Sequence, residues 1–393
     1  MKHTNKLLLV VSIIVNGIFI IKYAGPFVTQ HAAAALSDGD SNAGGSEVTY
    51  HDALEFSVIG RMHNEPMYNR LPAKYKNTLI PSVWGLSTNS SGVAIAFKTN
   101  SCSISARWTV RNYSAPANMS RLGACGVDLY CFKDGRWQYV GSGIPTGKDS
   151  EGPIISGMDS TLKEFMLYLP TYDGTTDVQI GVSKTAQIWP GNALHTDPDQ
   201  RILFYGTSIT QGGAASRPGM NYPSIISRHL NTEVINLGFS GNGRFQSSVG
   251  DIVCDTESKL IVLDCTPNST PDTIRVNVPK LIRQLRACKP NTPILLVESI
   301  RREYSHFIVS DSTTFGSAAY IDRQNAALLK AYREAVANGL TNLHYLESGS
   351  LIGTDHEGTV DGTHPSDLGL MRIADAVEHK IVTILKTDCV VTP

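Results

Sequence analysis

Two short stretches of the sequence carry residue types that could work together in acyl transfer. Ser208 lies in Gly-Thr-Ser just after the apolar run 202–205, and Asp361 and His364 share the stretch Asp-Gly-Thr-His-Pro near the C-terminal end. Acyl transfer by serine needs a hydroxyl nucleophile, an imidazole that takes its proton and a carboxylate that fixes the imidazole tautomer. The residue types therefore suggest Ser208 as the nucleophile, His364 as the general base and Asp361 as its orienting carboxylate.

Two further stretches offer N–H donors for the negative charge that develops on the substrate oxygen. Residues 236–241 read Asn-Leu-Gly-Phe-Ser-Gly, and residues 264–268 read Asp-Cys-Thr-Pro-Asn. Gly241 lets the backbone approach a ligand closely, and Asn268 supplies an amide donor on a turn stiffened by Pro267. Taken singly, all of these residues also fit ordinary turns and caps. Their combination in one order along the chain is what favours catalysis.

The second half of the chain supplies the elements that would position these residues. It alternates apolar segments with amphipathic ones, which predicts strands over 202–205, 234–239, 260–265, 294–298 and 344–347 and helices over 222–230, 273–288, 319–338 and 367–386. Such alternation is typical of a parallel sheet with helices on both faces, whose strand C-termini form the rim of the active site. Three glycines after Ser208 predict a mobile loop: Gly212, Gly213 and Gly219.

The first half of the chain shows short β-rich segments in place of helical periodicity. Predicted strands cover residues 57–60, 92–98, 103–110, 126–133, 136–141, 164–168 and 178–182. Asp134-Gly135 separates two of them as a tight hairpin turn does. Repeated short strands of this kind predict a β-sandwich over residues 48–190. Residues 190–200, which contain Pro198 and no periodicity, are the predicted junction to the second domain.

Composition narrows the classes of ligand. The 393 residues carry a formal net charge of -1, so they provide no positive field for nucleic acid or an anionic membrane, and a neutral or sugar-like substrate fits better. The seven cysteines form no metal-binding pattern, and we predict neither a metal nor an organic cofactor. We expect most of the cysteines to be small buried hydrophobic residues, and Cys125 and Cys131, which are close in sequence, leave a local disulfide in an oxidising compartment as the alternative.

The N-terminus reads as an export signal. Lys2, His3 and Lys6 precede the apolar run 7–21. This order is typical of a signal peptide, and the run is short for a membrane span. We expect residues 1–35 to be a cleaved signal peptide, with an uncleaved N-terminal anchor as the alternative, and the polar, glycine-rich residues 36–47 to be a flexible linker. Either way the folded part of the chain is expected to be exported.

The four chemical stretches resemble the four sequence blocks of the SGNH (GDSL-like) serine hydrolases, and the resemblance covers residues 200–387. It implies a three-layer α/β/α domain with a parallel five-stranded sheet over residues 199–388. It also implies that Ser208, Asp361 and His364 are catalytic.

The same resemblance implies an oxyanion hole. Its donors are the N–H groups of Ser208 and Gly241 and the side chain of Asn268. Two blocks depart from the family pattern: the first reads Gly-Thr-Ser in place of Gly-Asp-Ser, and the third reads Pro-Asn-Ser in place of Gly-x-Asn-Asp. Asn242 is therefore the alternative side-chain donor.

The first domain resembles one branch of these enzymes. Residues 126–130, Gly-Val-Asp-Leu-Tyr, are similar to the Gly-x-Asp-Leu-Tyr signature of a jelly-roll-like β-sandwich that is fused to SGNH domains in secreted bacterial carbohydrate esterases. Residues 68–72, Tyr-Asn-Arg-Leu-Pro, and residues 107–108, Arg-Trp, also resemble that branch. Asp128 and Tyr130 could equally be ordinary strand residues.

These observations together predict an exported esterase that removes short acyl groups from oligo- or polysaccharides, with acetyl as the expected group. Candidate substrate contacts near the nucleophile and glycine stretches are Tyr222, Arg217 and Arg244, although Tyr222 could also belong to a helix core. Three further residues follow the fourth predicted strand and could line the rim: Tyr304, His306 and Phe307. The alternatives are a lysophospholipase or thioesterase on the same scaffold, and a glycan-binding protein without activity.

Overall fold

The computed structural model describes residues 47–309, 313–349 and 351–388 of the chain. The predicted signal peptide or anchor over 1–35, and all but the last residue of the predicted linker over 36–47, lie outside the described residues. Among the described residues, no helix is both long and apolar enough to cross a bilayer.

The first domain is an antiparallel β-sandwich, as the short β-rich segments predict. Its elements are β1 (Val48–Asp52), β2 (Ser57–Ile59), α1 (Pro81–Ser87), β3 (Ala94–Thr99), β4 (Ile104–Val110), α2 (Arg121–Cys125), β5 (Val127–Lys133), β6 (Arg136–Gly143), β7 (Asp149–Ile155), β8 (Lys163–Tyr168), β9 (Thr175–Ser183) and β10 (Ile188–Pro190). One sheet has the order β1-β9-β4-β7, and the other has the order β10-β3-β8-β5-β6 with β2 also paired to β3.

Three of these strands, β1, β7 and β10, were not predicted from the sequence. All three lie at sheet edges, and most of their residues are exposed or only half-buried. An edge strand has a partner on one side only and buries little of either face, so its sequence lacks the alternation that identifies a strand packed on a core.

The second domain contains the predicted parallel five-stranded sheet. Its elements are β11 (Ile202–Gly206), α3 (Ser208–Gln211), α4 (Tyr222–Leu230), β12 (Val234–Gly238), α5 (Ser247–Cys254), β13 (Leu260–Asp264), α6 (Pro271–Cys288), β14 (Ile294–Val297), α7 (Ala318–Ala337), β15 (Leu343–Leu346) and α8 (Asp367–Asp388). The strand order is β12-β11-β13-β14-β15, with every neighbouring pair parallel. The C-terminal ends of all five strands therefore meet at one edge of the sheet.

Helices cover both faces of this sheet and complete three layers. Apolar residues of α4 and α8 pack on one face, where they meet Ile202, Phe204 and Val262. Helices α5, α6 and α7 pack on the other face against Leu203, Tyr205 and their neighbours. The strands are consequently buried on both sides, which explains why their sequences are continuously apolar.

The disulfide lies in a place that the sequence did not indicate. Cys254 at the end of α5 pairs with Cys288 at the end of α6, whereas Cys125 and Cys131 are free thiols. The Cys125–Cys131 pairing that the sequence left open does not form, because most of the segment between these residues is the extended strand β5. Six residues of strand span about 20 Å, far beyond the reach of a disulfide.

A buried arginine from the first domain joins the two domains. Arg70 belongs to the Tyr-Asn-Arg-Leu-Pro stretch, and its side chain is fully buried. Its guanidinium donates to the carbonyl oxygens of Leu86 and Asn89, and also to those of Asn236 and Gly238 in β12, over distances of 2.6 to 3.0 Å. The end of β12 is thus held by a residue from the other domain.

The Gly-x-Asp-Leu-Tyr signature also lies at the domain interface. Asp128 is fully buried, accepts a hydrogen bond from the Arg217 guanidinium at 2.7 Å and accepts another from the Gly219 N–H at 2.9 Å. Tyr130 also contacts Arg217, and the Arg228 guanidinium lies 4.0 Å from the centre of the Tyr130 ring. The signature therefore holds the loop that follows Ser208.

This contact explains why the predicted mobile loop is packed. Gly212, Gly213 and Gly219 are all buried, and the loop lies beneath the sandwich instead of opening to solvent. Glycines in this loop permit close approach of neighbouring groups. A Cβ on Gly213, for example, would lie 2.9 Å from the Tyr172 hydroxyl and 3.0 Å from the His364 ring.

Candidate active site

Ser208 begins the short helix α3, directly after the C-terminal end of β11. Thr207 caps this turn: its side chain accepts a hydrogen bond from the Ile209 N–H, and Thr210 reciprocates toward the Thr207 N–H. Gly206 is required just before the turn, because a Cβ there would lie 1.9 Å from the Thr210 hydroxyl. The turn places Ser208 at the strand end, where open α/β sheets hold their ligands.

The structure brings Ser208, His364 and Asp361 into one hydrogen-bonded chain. Ser208 Oγ lies 3.0 Å from His364 Nε2, and His364 Nδ1 lies 2.8 Å from Asp361 Oδ2. Pro365 follows the histidine and helix α8 begins at Asp367, so His364 lies in the preceding turn, as the sequence predicts. This is the arrangement in which an imidazole can take a proton from a serine hydroxyl while a carboxylate fixes its tautomer.

Asp361 is held as an ionised acceptor. Its Oδ1 accepts the backbone N–H groups of Thr363 at 2.9 Å and His364 at 2.7 Å. Burial works to raise the pKa of Asp361, but hydrogen bonds from the His364 backbone and ring, from Thr363 and from Asn118 outweigh it, and the pKa lies well below its usual range. The carboxylate consequently stays charged throughout the pH range in which a histidine titrates.

The three predicted oxyanion donors have no hydrogen-bond partner in the described part of the chain. In the described part of the chain, neither the Ser208 N–H nor the Gly241 N–H donates a hydrogen bond to any group. The Asn268 side-chain nitrogen is buried and likewise has no partner. Asn242, the alternative donor, is occupied because its side-chain nitrogen donates to the Ser240 carbonyl. An oxyanion needs unpartnered N–H groups that a ligand can reach; the Asn268 nitrogen is unpartnered but has no exposed surface, so the choice of Asn268 over Asn242 stays a prediction.

Two residues of the sandwich reach this site, and sequence reasoning missed both. The Asn118 side-chain nitrogen lies 2.9 Å from Asp361 Oδ2 and 3.0 Å from His364 Nδ1. The Tyr172 hydroxyl donates to the Ser208 carbonyl at 3.3 Å. Both residues are more than 30 positions from any of the chemical stretches, and no local pattern marks them. The candidate site is thus built from both domains.

A cavity of about 690 Å³ adjoins the histidine turn. Its described lining consists of ring-bearing side chains together with Glu303 and part of the histidine turn: Glu303, Tyr304, His306, Phe307, His356, Asp361 and Gly362. Tyr304 accepts a hydrogen bond from the Thr363 hydroxyl at 3.1 Å, which ties the cavity wall to the histidine turn. The structure therefore places Tyr304, His306 and Phe307 next to Asp361, as expected from their position after the fourth strand.

The three candidate substrate contacts have different surroundings. Tyr222 is only 1% exposed and donates to the buried Asp264 at 2.9 Å, so its assignment as a substrate contact was wrong and it belongs to the core. Arg217 is half-buried and its guanidinium is ion-paired with Asp128 at 2.7 Å, so its assignment as a substrate contact stays a prediction. Arg244 is exposed and lies beside the Gly241 carbonyl, to which it donates at 3.0 Å. Arg244 alone among the three keeps an exposed position.

A second carboxyl lies beneath the nucleophile turn. Asp264, at the end of β13, is buried and accepts hydrogen bonds from the hydroxyls of Thr210 and Tyr222, each at 2.9 Å. Burial raises the pKa of Asp264 to about 7, and the two hydrogen bonds offset only part of that effect. This side chain ties the nucleophile turn to β13 and α4.

We expect Asp264→Asn to change stability in a pH-dependent way. The folded protein keeps a proton that the unfolded chain releases above about pH 4, so wild-type stability falls by about 1.4 kcal/mol per pH unit up to about pH 7. Asparagine cannot ionise, so the variant lacks this pH-dependent loss. Its free energy of unfolding should therefore rise relative to that of the wild type as the pH increases. Urea unfolding of both proteins at several pH values measures this difference. A difference that stays constant with pH would contradict the assignment of Asp264 as a buried titrating group.

No cluster of three or more histidine, cysteine or acidic side chains suited to a metal ion occurs among the residues that the structure describes. The residues gathered at Ser208 are those of acid–base and nucleophilic chemistry, and they need no further group to form the hydrogen-bonded chain.

Comparisons with known proteins agree with this fold. Residues 199–382 match the model of the GDSL-like lipase/acylhydrolase family, and residues 48–188 match the model of the N-terminal region of SGNH-hydrolase-type esterases. Among curated proteins, no sequence matches this chain.

Several solved structures are similar to this chain. A protein described as a GDSL-like lipase from Bacteroides ovatus ATCC 8483 is 37% identical, with a TM-score of 0.81 over 86% of this chain and 98% of that one. The salicylyl-acyltransferase SsfX3 from a tetracycline biosynthetic pathway is 17% identical, with a TM-score of 0.69 over 86% and 97% of the two chains. An acetyl xylan esterase from the rumen bacterium Butyrivibrio proteoclasticus is 12% identical, with a TM-score of 0.52 over 86% and 99%. The last two show a shared fold.

The family match and the extent of the first structural relative settle the classification. That relative exceeds a third in identity and is covered almost completely, including both domains. The chain therefore belongs to the GDSL-like lipase/acylhydrolase family, the SGNH hydrolases, in the form that carries an N-terminal β-rich domain.

Proposed function

We propose that the protein is an exported serine esterase that removes short acyl groups from carbohydrate hydroxyls, and that acetyl is the main group removed. The observation that carries the proposal is the hydrogen-bonded chain from Ser208 Oγ through the His364 ring to Asp361, with distances of 3.0 and 2.8 Å. The N–H groups of Ser208 and Gly241 support it, since neither donates to another group of the described chain and both can donate to an oxyanion.

The chemistry follows from these positions. His364 Nε2 takes the Ser208 hydroxyl proton while Oγ attacks the ester carbonyl, and the carbonyl oxygen becomes an oxyanion that the free N–H groups stabilise. As the intermediate collapses, the imidazolium returns the proton to the departing alcohol and an acyl-serine remains. Water then attacks that ester with His364 again as the base, which releases the carboxylic acid and restores Ser208. Asp361 stays ionised throughout and holds Nδ1–H.

The substrate's alcohol belongs on the histidine side of Ser208. The imidazole must reach the departing alcohol oxygen to protonate it. The cavity of about 690 Å³ shares Asp361 with the histidine turn, so it lies on that side. Its Tyr304 and Phe307 rings offer apolar surface for the face of a sugar ring, and Glu303 and His356 add polar groups to the lining. An acetyl xylan esterase with the same fold is consistent with a sugar ester.

Export is proposed from the sequence alone. Basic residues precede the apolar run 7–21, and a polar, glycine-rich stretch separates that run from the folded domains. N-terminal sequencing of the protein recovered from its native host would test this proposal. A mature N-terminus within residues 22–47 is expected for a cleaved signal, and an intact N-terminus for an anchor.

The substrate class is tested by acetate release from a panel of acetylated glycans. We expect release from at least one acetylated polysaccharide by the wild-type protein and none by Ser208→Ala. The lipid alternative is tested with nitrophenyl esters of increasing acyl length: a carbohydrate deacetylase should prefer acetate, and a lysophospholipase should prefer long chains. Preference for long acyl chains without glycan deacetylation would overturn the carbohydrate proposal and leave the serine chemistry intact.

Phe307→Ala is expected to weaken binding of the sugar alcohol. The Phe307 side chain is 86% exposed at the cavity, and an aromatic surface of this kind contributes about 1 kcal/mol or more when a ligand packs on it. We therefore expect KM for an acetylated oligosaccharide to rise about five- to tenfold with little change in kcat. Methyl acetate, whose alcohol is too small to fill the cavity, should be hydrolysed as by the wild type.

The matched control is Phe315→Ala, an exposed phenylalanine that packs on Arg302 and is not among the described residues lining the cavity. It should leave KM for the oligosaccharide unchanged. Equal KM values for Phe307→Ala and the wild type would remove the cavity from the proposed substrate site.

A further inference from the structure

Asn118 is a residue of the sandwich that contacts both Asp361 and His364. It belongs to the loop between β4 and α2, 243 positions before Asp361 in the sequence. Its side-chain nitrogen lies 2.9 Å from Asp361 Oδ2 and 3.0 Å from His364 Nδ1. A single amide thus touches both groups whose protonation decides whether His364 can act as a base.

The hydrogen bonds of Asp361 show what Asn118 contributes. Oδ1 accepts two backbone N–H groups, and Oδ2 accepts from His364 Nδ1 and from Asn118. All four acceptor positions of the carboxylate are therefore used. Of these four donors, only Asn118 comes from outside the turn that carries Asp361 and His364.

The position of the amide also determines which hydrogen bond is possible. An ionised carboxylate 2.8 Å from His364 Nδ1 requires a proton on that nitrogen, because two acceptors would repel each other. Asn118 cannot donate to a nitrogen that already carries a proton, so its N–H is directed to Asp361 Oδ2. His364 Nε2 then remains unprotonated and accepts the Ser208 hydroxyl proton.

We propose that Asn118 is a positioning residue for the serine chemistry proposed above, through which the sandwich domain fixes Asp361 and limits how strongly that carboxylate stabilises the protonated imidazole. The inference rests on the proposed catalytic roles of Ser208, His364 and Asp361, and it does not depend on the identity of the substrate. A hydrogen bond donated to a carboxylate disperses its charge, so the neighbouring imidazolium is stabilised less. The active site is accordingly complete only with the sandwich docked.

The consequence for pH dependence has a definite sign. In Asn118→Ala the carboxylate loses one donor and attracts the imidazolium more strongly, so the imidazole stays protonated to higher pH. We expect the acid limb of kcat/KM to move upward by about half a pH unit to one unit, and the pH-independent kcat/KM to fall about tenfold. Asn118→Asp adds a negative charge at the same place and should move the acid limb further in the same direction.

The test uses the full chain and nitrophenyl acetate, an ester whose turnover does not depend on recognition of a glycan. The pH profile of kcat/KM is measured for the wild type, Asn118→Ala, Asn118→Asp and the control Ala117→Asp. Ala117 is exposed and adjacent in sequence, so the control carries the same charge without the contact. Its acid limb should move by less than a third as much as that of Asn118→Asp, because solvent screens an exposed charge.

A second measurement reads the imidazole directly. Nuclear magnetic resonance of histidine-labelled protein, with the His364 signal identified by its loss in His364→Gln, gives the titration midpoint of that ring without any turnover. An upward movement of the midpoint in Asn118→Ala supports the proposal. A midpoint and an acid limb that coincide with those of the wild type, or that move downward, would overturn it. Absence of nitrophenyl acetate turnover by the wild type would overturn the proposed function, and the midpoint would still decide the role of Asn118.

Discussion

Ser208→Ala is expected to lower kcat/KM for nitrophenyl acetate by at least about 10⁴-fold, because it removes the only atom in the hydrogen-bonded chain that can form the acyl-enzyme. The Ser208 hydroxyl lies 3.0 Å from His364 Nε2, and nothing else within that chain is a nucleophile of comparable placement. His364 and Asp361 would remain in position but would have no proton to move. Steady-state kinetics with purified variants measures the loss.

Stability serves as the control for this loss. The Ser208 side chain makes one hydrogen bond, to His364, and the α3 turn is capped by Thr207 and Thr210. The free energy of unfolding of the variant should therefore differ from that of the wild type by less than about 0.5 kcal/mol. A matched serine control is Ser82→Ala, which removes an exposed hydroxyl bonded to Asn242. Retention of more than a tenth of wild-type activity by a folded Ser208→Ala would contradict the assignment of the nucleophile.

Arg70→Ala is expected to lower the free energy of unfolding by about 3–5 kcal/mol. The fully buried guanidinium donates to four carbonyl oxygens, two in each domain, and no carboxylate accompanies it. Its removal takes one donor from each of these carbonyls, of which only that of Leu86 keeps a backbone donor among the hydrogen bonds of the described residues, and opens a cavity beside Phe239, whose ring centre lies 5.0 Å from the guanidinium. Urea unfolding measures the change.

Arg70→Met separates the hydrogen bonds from the packing, since methionine fills much of the space and donates nothing. Arg70→Met should still lower the free energy of unfolding by about 2–4 kcal/mol. The exposed Arg136→Ala is the control and should change stability by less than about 0.5 kcal/mol. A stability equal to that of the wild type for Arg70→Met would show that the carbonyls at the interface find other partners, and would remove Arg70 as the main link between the domains.

Much of the second domain could be predicted from the sequence because its signals are local. Strand β11 and helix α4 lie at or within one residue of the predicted bounds, since a strand buried on both faces is continuously apolar and a helix is periodic. The placement of Ser208 and His364 followed from the turns that flank them. Helix α5 was missed because it has only eight residues and contains Gly250, so its periodicity covers barely two turns.

The residues that sequence reasoning placed wrongly or missed are those whose position depends on packing between the domains. Tyr222 is near Ser208 in sequence but points into the core toward Asp264. Arg217 is near Ser208 too, and the sequence did not indicate its ion pair with Asp128 of the sandwich. Asn118 was missed because its contact with Asp361 spans 243 positions, and no periodicity of either segment encodes it. Contacts of this kind depend on how the two folded domains pack against each other, which local sequence patterns do not determine.

The resemblance to the Gly-x-Asp-Leu-Tyr signature gains a physical explanation from the same interface. Asp128 and Tyr130 are strand residues of β5, but their side chains bind Arg217 and the Gly219 N–H of the loop that follows the nucleophile. The signature therefore helps to form the interface between the domains, and through it the first domain positions the loop beside the candidate active site.

The proposed serine chemistry requires Ser208 to be the nucleophile. The decisive measurement is peptide mapping by mass spectrometry after the full chain reacts with a fluorophosphonate, which phosphonylates activated serines. We predict a single modification on the peptide that contains Ser208, formed more slowly at low pH as the imidazole is protonated, and absent in Ser208→Ala. Modification of another residue, or equal labelling of the Ser208→Ala protein, would contradict the proposed serine esterase.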